Sequence, residues 1–504
     1  MLLRKVAAIA LSAALVFGSI AGCTKTGDTK APAAGTKTSG GVTTKTSEAK
    51  PVTIKYLHSY HASVDTMTKA GEDLNKNRIA VAHNENSGIT VQWEMLPKTD
   101  ADTKIAMIFA GGDVPDLISL SRDNAFKYAA QGAIMPLDQL IAEYCPEYLN
   151  ITPKDVQEAV KSDGKTIAFA MRGEGASEVT NYGTIVRRDI MNELGLKDPT
   201  TLDEYVTLMK TIKEKKNIIP ITCSNVLLQP VMGAFGVAGR TVEKAGKLEF
   251  AMIQPEFKEY LAFVKDMYDQ GLIDKEFAVV KDDAQKLLEG RAFAIVNNWV
   301  GIALNKTNLA QKFPEAKLDF IPYPEGRNGM KGSMQNPIFS ALTCVPTKSK
   351  QKEAAARFVN YMGSEKAGIV QDHGIEGIDY KVENGKTVQT LQEQTNVTWK
   401  ICYQTIVREE SFPRRLKLKG FDGEYNRQAE VCKGCILVEP TLASPPIDKY
   451  DTKLADLNKH VDEYATKVVM GSASLNDFDR YVQEFNTKGG KEAIDAINEW
   501  YTKK

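Results

Sequence analysis

The run ITVQWEM (89–95) alternates strictly. Ile89, Val91, Trp93 and Met95 fall on one face, and Thr90, Gln92 and Glu94 on the other. That period belongs to a half-buried strand, not a helix, so Trp93 reads as core. VTIKYL (52–57), DLISL (116–120), GTIVR (183–187), IIPIT (218–222), AFAIV (292–296) and LDFIP (318–322) are further strand candidates. Helices with readable ends lie between them. Thr201-Leu202-Asp203-Glu204 is a capping box, in which hydroxyl and carboxylate each serve a backbone N–H of the first turn. Pro255 fits a first helical position; Phe257, Tyr260, Leu261, Val264 and Tyr268 follow at helical spacing until Gly271. Ala355, Phe358, Val359 and Met362 form another stripe, and Ser474 with Asp477 caps a later one. Strands separated by helices predict an α/β fold. A body of about 450 residues exceeds what one core holds, so two domains are expected.

The N-terminus has a different composition. Arg4 and Lys5 precede an uncharged, mostly apolar run from Val6 to Gly22 that stops at Cys23. This is the layout of a secretory signal, and the run falls short of the roughly 20 residues a bilayer span needs. Ile20-Ala21-Gly22-Cys23 resembles a bacterial lipobox, which implies that 1–22 is removed and that Cys23 carries lipid. Two acyl chains hold a protein stably where one does not, so the expected location is the outer face of the cytoplasmic membrane. Thr24 to Lys50 holds almost no large apolar side chain. Such a stretch does not fold and reads as a tether (23–50 with the lipidated cysteine) reaching roughly 30 Å.

Lys plus Arg and Asp plus Glu are both 64. No basic surplus marks a nucleic-acid surface, and no nucleic-acid partner is expected. Six cysteines remain beyond Cys23, of which only Cys432 and Cys435 are closely spaced. That pair permits a disulfide, two free thiols or half a zinc site.

A resemblance becomes visible at FAGGDVPDLISLSRDNAFKYAAQGAIMPLDQLI (109–141), where a Gly-Asp-x-Pro-Asp turn enters a strand. It resembles family-1 extracellular solute-binding proteins. DGKTIAFA (163–170), YGTIVRRDIMNELGLKDPTTLDEYVTLMKTIKEK (182–215), FKEYLAFVKDMYDQGLIDKEFA (257–278), EGRAFAIVNNW (289–299), GIEGIDYKVENGK (374–386) and GSASLNDFDRYVQEFNTKGG (471–490) match in order. The large lipoproteins of that family tied to oligosaccharide uptake are the nearest subgroup. The resemblance implies an α/β, two-lobe, periplasmic-binding-protein-like (type II) fold with a cleft between lobes. Lobe one would be 51–172 and 289–342; lobe two would be 173–288 and 343–504, its C-terminal extension bracing both. Some relatives bind calcium in an acidic loop, but KEKKNIIP (213–220) offers one Glu and one Asn among lysines. A hard cation wants roughly six or more oxygens, so no calcium is expected there.

Sugar recognition needs polar side chains for adjacent hydroxyls and flat rings for the C–H face. His58, Tyr60 and His61 follow the first strand, where loops at carboxyl ends of strands line crevices; a plain turn is the alternative. Arg122 and Asp123 follow the third strand and suit hydroxyls or a uronate, whereas Asp113 and Asp116 suit the turn itself. Trp299 with Asn298 matches the region where the family stacks sugars. Arg187 and Gln229 follow strands of the second lobe, and Trp399 lies in the tail. Arg187 has Asp189 as an alternative partner, and Glu376 in GIEG has a structural alternative. Five histidines are too few to suggest a metal site; no metal, cofactor or catalytic residue is expected.

These features predict a monomeric, lipid-anchored receptor that hands an oligosaccharide to the permease subunits of an ABC importer. A surface glycoside hydrolase using paired carboxylates and a glycan-sensing lipoprotein are the rivals. Hydrolase, zinc-protease and phosphate-loop motifs are missing from the sequence.

Overall fold

The computed structural model describes residues 52–173, 178–384, 386–390, 399–408 and 411–503. Segments 1–22 and 23–50, with Cys23, lie outside the described residues.

The alternating strands assemble into two sheets. The first has five strands in the order Ile89–Met95, Val52–His58, Leu117–Leu120, Phe339–Cys344, Phe169–Arg172. Its first three are parallel, Phe339–Cys344 runs against them, and Phe169–Arg172 runs against Phe339–Cys344 and so in the direction of the first three. The second has four strands in the order Leu318–Ile321, Gly183–Arg187, Ala292–Asn297, Ile219–Ile221. Gly183–Arg187 runs antiparallel to both neighbours, and Ala292–Asn297 runs parallel to Ile219–Ile221. Each sheet is the core of one α/β lobe.

The expected placement of 289–342 in the first lobe does not hold for its strands. Ala292–Asn297 and Leu318–Ile321 both pair with Gly183–Arg187, and Phe293, Ile295 and Phe320 are fully buried with that sheet. Conversely, the helices Lys352–Met362 and Glu365–His373 pack with the first sheet, not the second: Phe358, Val359 and Val370 share a core with Tyr56 and Trp93. Strand pairing is non-local, so neither assignment could be read from spacing.

Trp93 is core, as its alternation predicts. It is 3 % exposed and meets Tyr56 and Tyr403 with ring centroids 5.1 Å away. The capping box at Thr201 forms and opens the helix Leu202–Lys216, which ends where Asn217 takes a φ of 54°. Lys213 and Lys216 on its last turn bond the Gln270 carbonyl and Glu193. The helices Asp448–Val469 and Lys491–Tyr501 complete the second lobe, burying Leu457, Val461 and Ile497 with Phe250 and Phe257. A fully buried apolar side chain contributes about 1.5–3 kcal/mol.

The chain passes between lobes along narrow paths. Thr180 bridges Gln335, and Ser333–Met334 pairs in parallel with Ile436–Leu437. These crossings pack without room for side chains. A Cβ on Gly332, whose φ is 120°, would lie 2.0 Å from the Cys435 carbonyl oxygen, and one on Gly233 would lie 1.8 Å from that of Gly332. Only glycine allows such an approach. Cys432 and Cys435 flank this contact as buried free thiols, with the Tyr323 hydroxyl 3.4 Å from the Cys432 sulfur.

Candidate functional site

Strand direction decides which ends of the sheets face the other lobe. The crossings leave the first lobe after Arg172 and before Phe339, which pair with each other beside Leu120. They meet the second lobe near Gly183, which pairs with Asn297. The facing ends therefore carry His58, Leu120 and Arg122 on one side and Gly183, Asn297 and the loop after Ile221 on the other. Two cavities lie here. One of about 390 Å³ is lined by Arg122, Asp123, Arg240, Phe339 and Asp451. A second of about 260 Å³ is lined by Gln229, Arg240, Met252, Met334, Asp462 and Phe485. Arg240 and Leu454 belong to both.

Arg122 is the first residue of the helix Arg122–Ala130, capped by the Ser121 hydroxyl. Its Nη2 donates to the Ser444 carbonyl at 2.7 Å and to the Ser444 hydroxyl at 3.0 Å, and its Nε donates to the same carbonyl at 3.1 Å. Asp451 lies 3.4 Å and Asp123 3.3 Å from Nη1. Arg122 thus ties the first lobe to the C-terminal helices of the second. Gln229 opens the short helix Gln229–Met232; its side-chain oxygen is buried without a hydrogen-bond partner. An amide oxygen left in that state costs about 1–3 kcal/mol.

The remaining expected residues fall elsewhere or face other partners. Burial pushes the His58 imidazole pKa down, and Nε2 lies 2.8 Å from the Gln404 carbonyl. Tyr60 donates to Asp65 at 2.6 Å, and His61 Nδ1 lies 2.6 Å from the Ser63 hydroxyl. These three follow the first strand at the facing end of the first sheet, and the bonds described tie them to Gln404 and to the helix Ser63–Lys69. Asn298 caps the helix Trp299–Lys312. Trp299 is half-buried against Tyr425, Phe412 and Phe421, with centroids 5.9, 6.2 and 6.4 Å away. The Trp399 side chain lies outside the described residues.

Arg187 is not part of this opening. Its strand runs against its neighbours, so its carboxyl end is the end remote from Asn297. Its guanidinium is committed to Asp189, with Nη2 to Oδ2 at 2.6 Å. Burial alone would raise the Asp189 pKa; hydrogen bonds from Arg187 and the Lys317 N–H outweigh that and hold it below the carboxylate range. Glu376 is exposed in a turn and forms no part of either cavity. That turn serves Asp379, which takes the Ile375 N–H and pairs with Arg78.

Sequence reasoning missed Arg240, Ser444 and Asp451. A weak signal existed for Arg240, because GAFGVAGR (233–240) concentrates glycines where the backbone approaches another segment closely. Ser444 and Asp451 gave none, since their role depends on a helix folded back from the tail. Among the described residues, no three His, Cys, Asp or Glu side chains cluster as a metal site, and no helix is long and apolar enough to cross a membrane.

The chain resembles several known proteins along most of its length. It is 24 % identical over 448 residues to Lipoprotein LipO of Bacillus subtilis (strain 168), covering 82 % of this chain and 86 % of that one. It is 23 % identical over 445 residues to the polygalacturonan/rhamnogalacturonan-binding protein YtcQ of the same organism, covering 82 % and 85 %. The solved structure of the S. pneumoniae ABC-transporter substrate-binding protein FusA in complex with kestose superposes with a TM-score of 0.68 at 17 % identity, over 90 % of this chain and 99 % of that one. That last likeness is one of fold. The family is made of binding proteins rather than enzymes, so the glycoside hydrolase reading falls. The model of the bacterial extracellular solute-binding proteins matches residues 69–369, more than half of the sequence, and the chain belongs to that family.

Proposed function

We propose that this protein captures an oligosaccharide between its lobes and delivers it to the permease subunits of an ABC importer. The observation that carries this is the pair of cavities at the facing sheet ends, where Arg122 and Asp123 stand opposite Gln229 and Arg240. Guanidinium, amide and carboxylate groups around Phe339, Met252 and Phe485 suit a ligand of hydroxyls and C–H faces. The names of YtcQ and FusA support the same ligand class. Closure around the ligand is a population shift driven by contacts made only in the closed form.

In this reading 1–22 is a removed signal, 23–50 a tether lipidated at Cys23, and the folded body a monomer on the outer face of the membrane. The first lobe comprises 52–172 and 339–408, and the second 183–330 and 411–503. A thermal-shift screen against oligosaccharides tests the ligand class. A true ligand at 100 times its Kd stabilises by about 2.7 kcal/mol. A panel of plant and microbial oligosaccharides that leaves the melting temperature unmoved contradicts the reading.

A further inference from the structure

We propose that Arg240 reads a carboxylate on the bound sugar, so that the preferred ligand is an acidic oligosaccharide carrying a uronate beside Arg240; this rests on the receptor reading above. Arg240 lines both cavities and is half-buried. Its backbone is fixed on both sides: its N–H donates to Glu439 at 2.6 Å, and its carbonyl accepts the Ala251 N–H at 3.0 Å. Its positive charge acts on the Tyr450 hydroxyl, which is buried without a hydrogen-bond partner. Among the described residues no carboxylate lies within ion-pair reach of its guanidinium.

Four other buried or half-buried arginines do have a carboxylate partner. Arg122 has Asp451, Arg187 has Asp189, Arg188 has Asp198 and Asp319, and Arg427 has Asp319. The carboxylates of Asp123, Asp451 and Glu439 near Arg240 are engaged by other groups. Asp123 and Asp451 face Arg122. Glu439 accepts the Arg240 and Thr241 N–H groups and the hydroxyls of Thr241 and Thr441. Asp462 lines the smaller cavity as an exposed residue and forms no ion pair with Arg240.

A cation drawn partly out of water without an anion is a cost that a bound anion removes. The guanidinium fork matches a carboxylate in two parallel bonds. Next to it the unsatisfied Gln229 oxygen needs a donor, which a sugar hydroxyl supplies. Phe250, Met252 and Met334 offer an apolar wall for the ring's C–H face. A uronate residue presents all three complements at once.

The test is isothermal titration of the full chain and of Arg240→Gln with trigalacturonic acid, its methyl ester and kestose. The ester keeps the shape of the acid and removes its charge. The wild-type protein is expected to prefer the acid over the ester, and the preference should shrink as salt screens it. R240Q should weaken acid binding roughly 10–100-fold, the worth of a charge-assisted bond, and weaken the ester by a clearly smaller factor. Equal wild-type affinity for acid and ester, or an R240Q chain that binds the acid as tightly as wild type, overturns the carboxylate role while leaving the receptor reading standing. Binding of none of the three overturns both. The unliganded melting temperature of R240Q reports its folding; if that variant does not fold, the salt dependence of the wild-type acid-to-ester ratio decides the question.

Discussion

Two ends of the same four-stranded sheet differ in how their polar groups are satisfied. At the end remote from the cleft, Arg187 and Arg188 are fastened to Asp189, Asp198 and Asp319. At the end facing the other lobe, the Gln229 oxygen has no partner and Arg240 has no carboxylate among the described residues. Paired charge at the remote end does structural work. Unmet polarity at the facing end fits the ligand proposed for it, whose polar groups would satisfy it. Strand direction separates the two: the carboxyl end of Ile219–Ile221 faces the other lobe, whereas that of Gly183–Arg187, which runs the other way, is the remote end.

The comparison breaks most readily at Arg187. Its side chain is 9 % exposed and that of Asp189 17 %, so Arg187→Ala strands a carboxylate and should cost about 3 kcal/mol of stability without changing glycan affinity. Denaturant titration and calorimetry check the two halves of that statement; a large loss of affinity at unchanged stability would move Arg187 into the site. Trp299→Ala comes next. Its contacts with Phe412, Phe421 and Tyr425 predict a stability loss of about 2 kcal/mol, and any loss of binding beyond that marks it as a ligand contact too.

The lobes should also differ in acid sensitivity. His58, His61, His83 and His373 belong to the half with the five-stranded sheet, and His460 to the other. Burial pushes the His83 pKa down to about 3. A depressed histidine pKa leaves the unfolded chain binding more protons, so stability falls as pH drops below about 6.5 toward that value, by at most about 1.4 kcal/mol per pH unit. His83→Phe should flatten the slope of stability against pH in that window, and an unchanged slope removes His83 as its source. The smallest effect is expected at Gln229. Replacing a carbonyl that has no partner with an apolar group is nearly neutral for folding, so Gln229→Leu should change stability by less than about 1 kcal/mol while weakening the glycan several-fold. Loss of stability there would mean the oxygen has a partner in the free protein.

Much of the fold was legible before any coordinates. The alternation at 89–95 gave a strand with Trp93 inward, and the capping box at Thr201 and Pro255 gave two helix starts. Arg122, Asp123 and Gln229 were legible as groups following strands. What stayed hidden depends on pairing between distant segments. Nothing in AFAIV or LDFIP says that both join Gly183–Arg187, and nothing near Ser444 says that Arg122 will reach it. Trp299 stood out through the resemblance to a sugar-stacking region and through its aromatic ring, but its packing partners Phe412, Phe421 and Tyr425 come from a helical pair far along the sequence.

Closure of the two lobes around a guest, as proposed above, is measured directly by a distance between them. Met107 is 70 % exposed on the first lobe and Leu304 63 % on the second. Burial pushes the Cys145 and Cys402 thiols up to about 12, which disfavours the thiolate that labels attack. Fluorophores placed at Met107→Cys and Leu304→Cys in a Cys23→Ser chain should therefore report the inter-lobe distance by energy transfer. Transfer that rises in a saturable way with an oligosaccharide, at the same concentration that raises the melting temperature, is the predicted result. Saturated binding with no change in transfer would contradict the account.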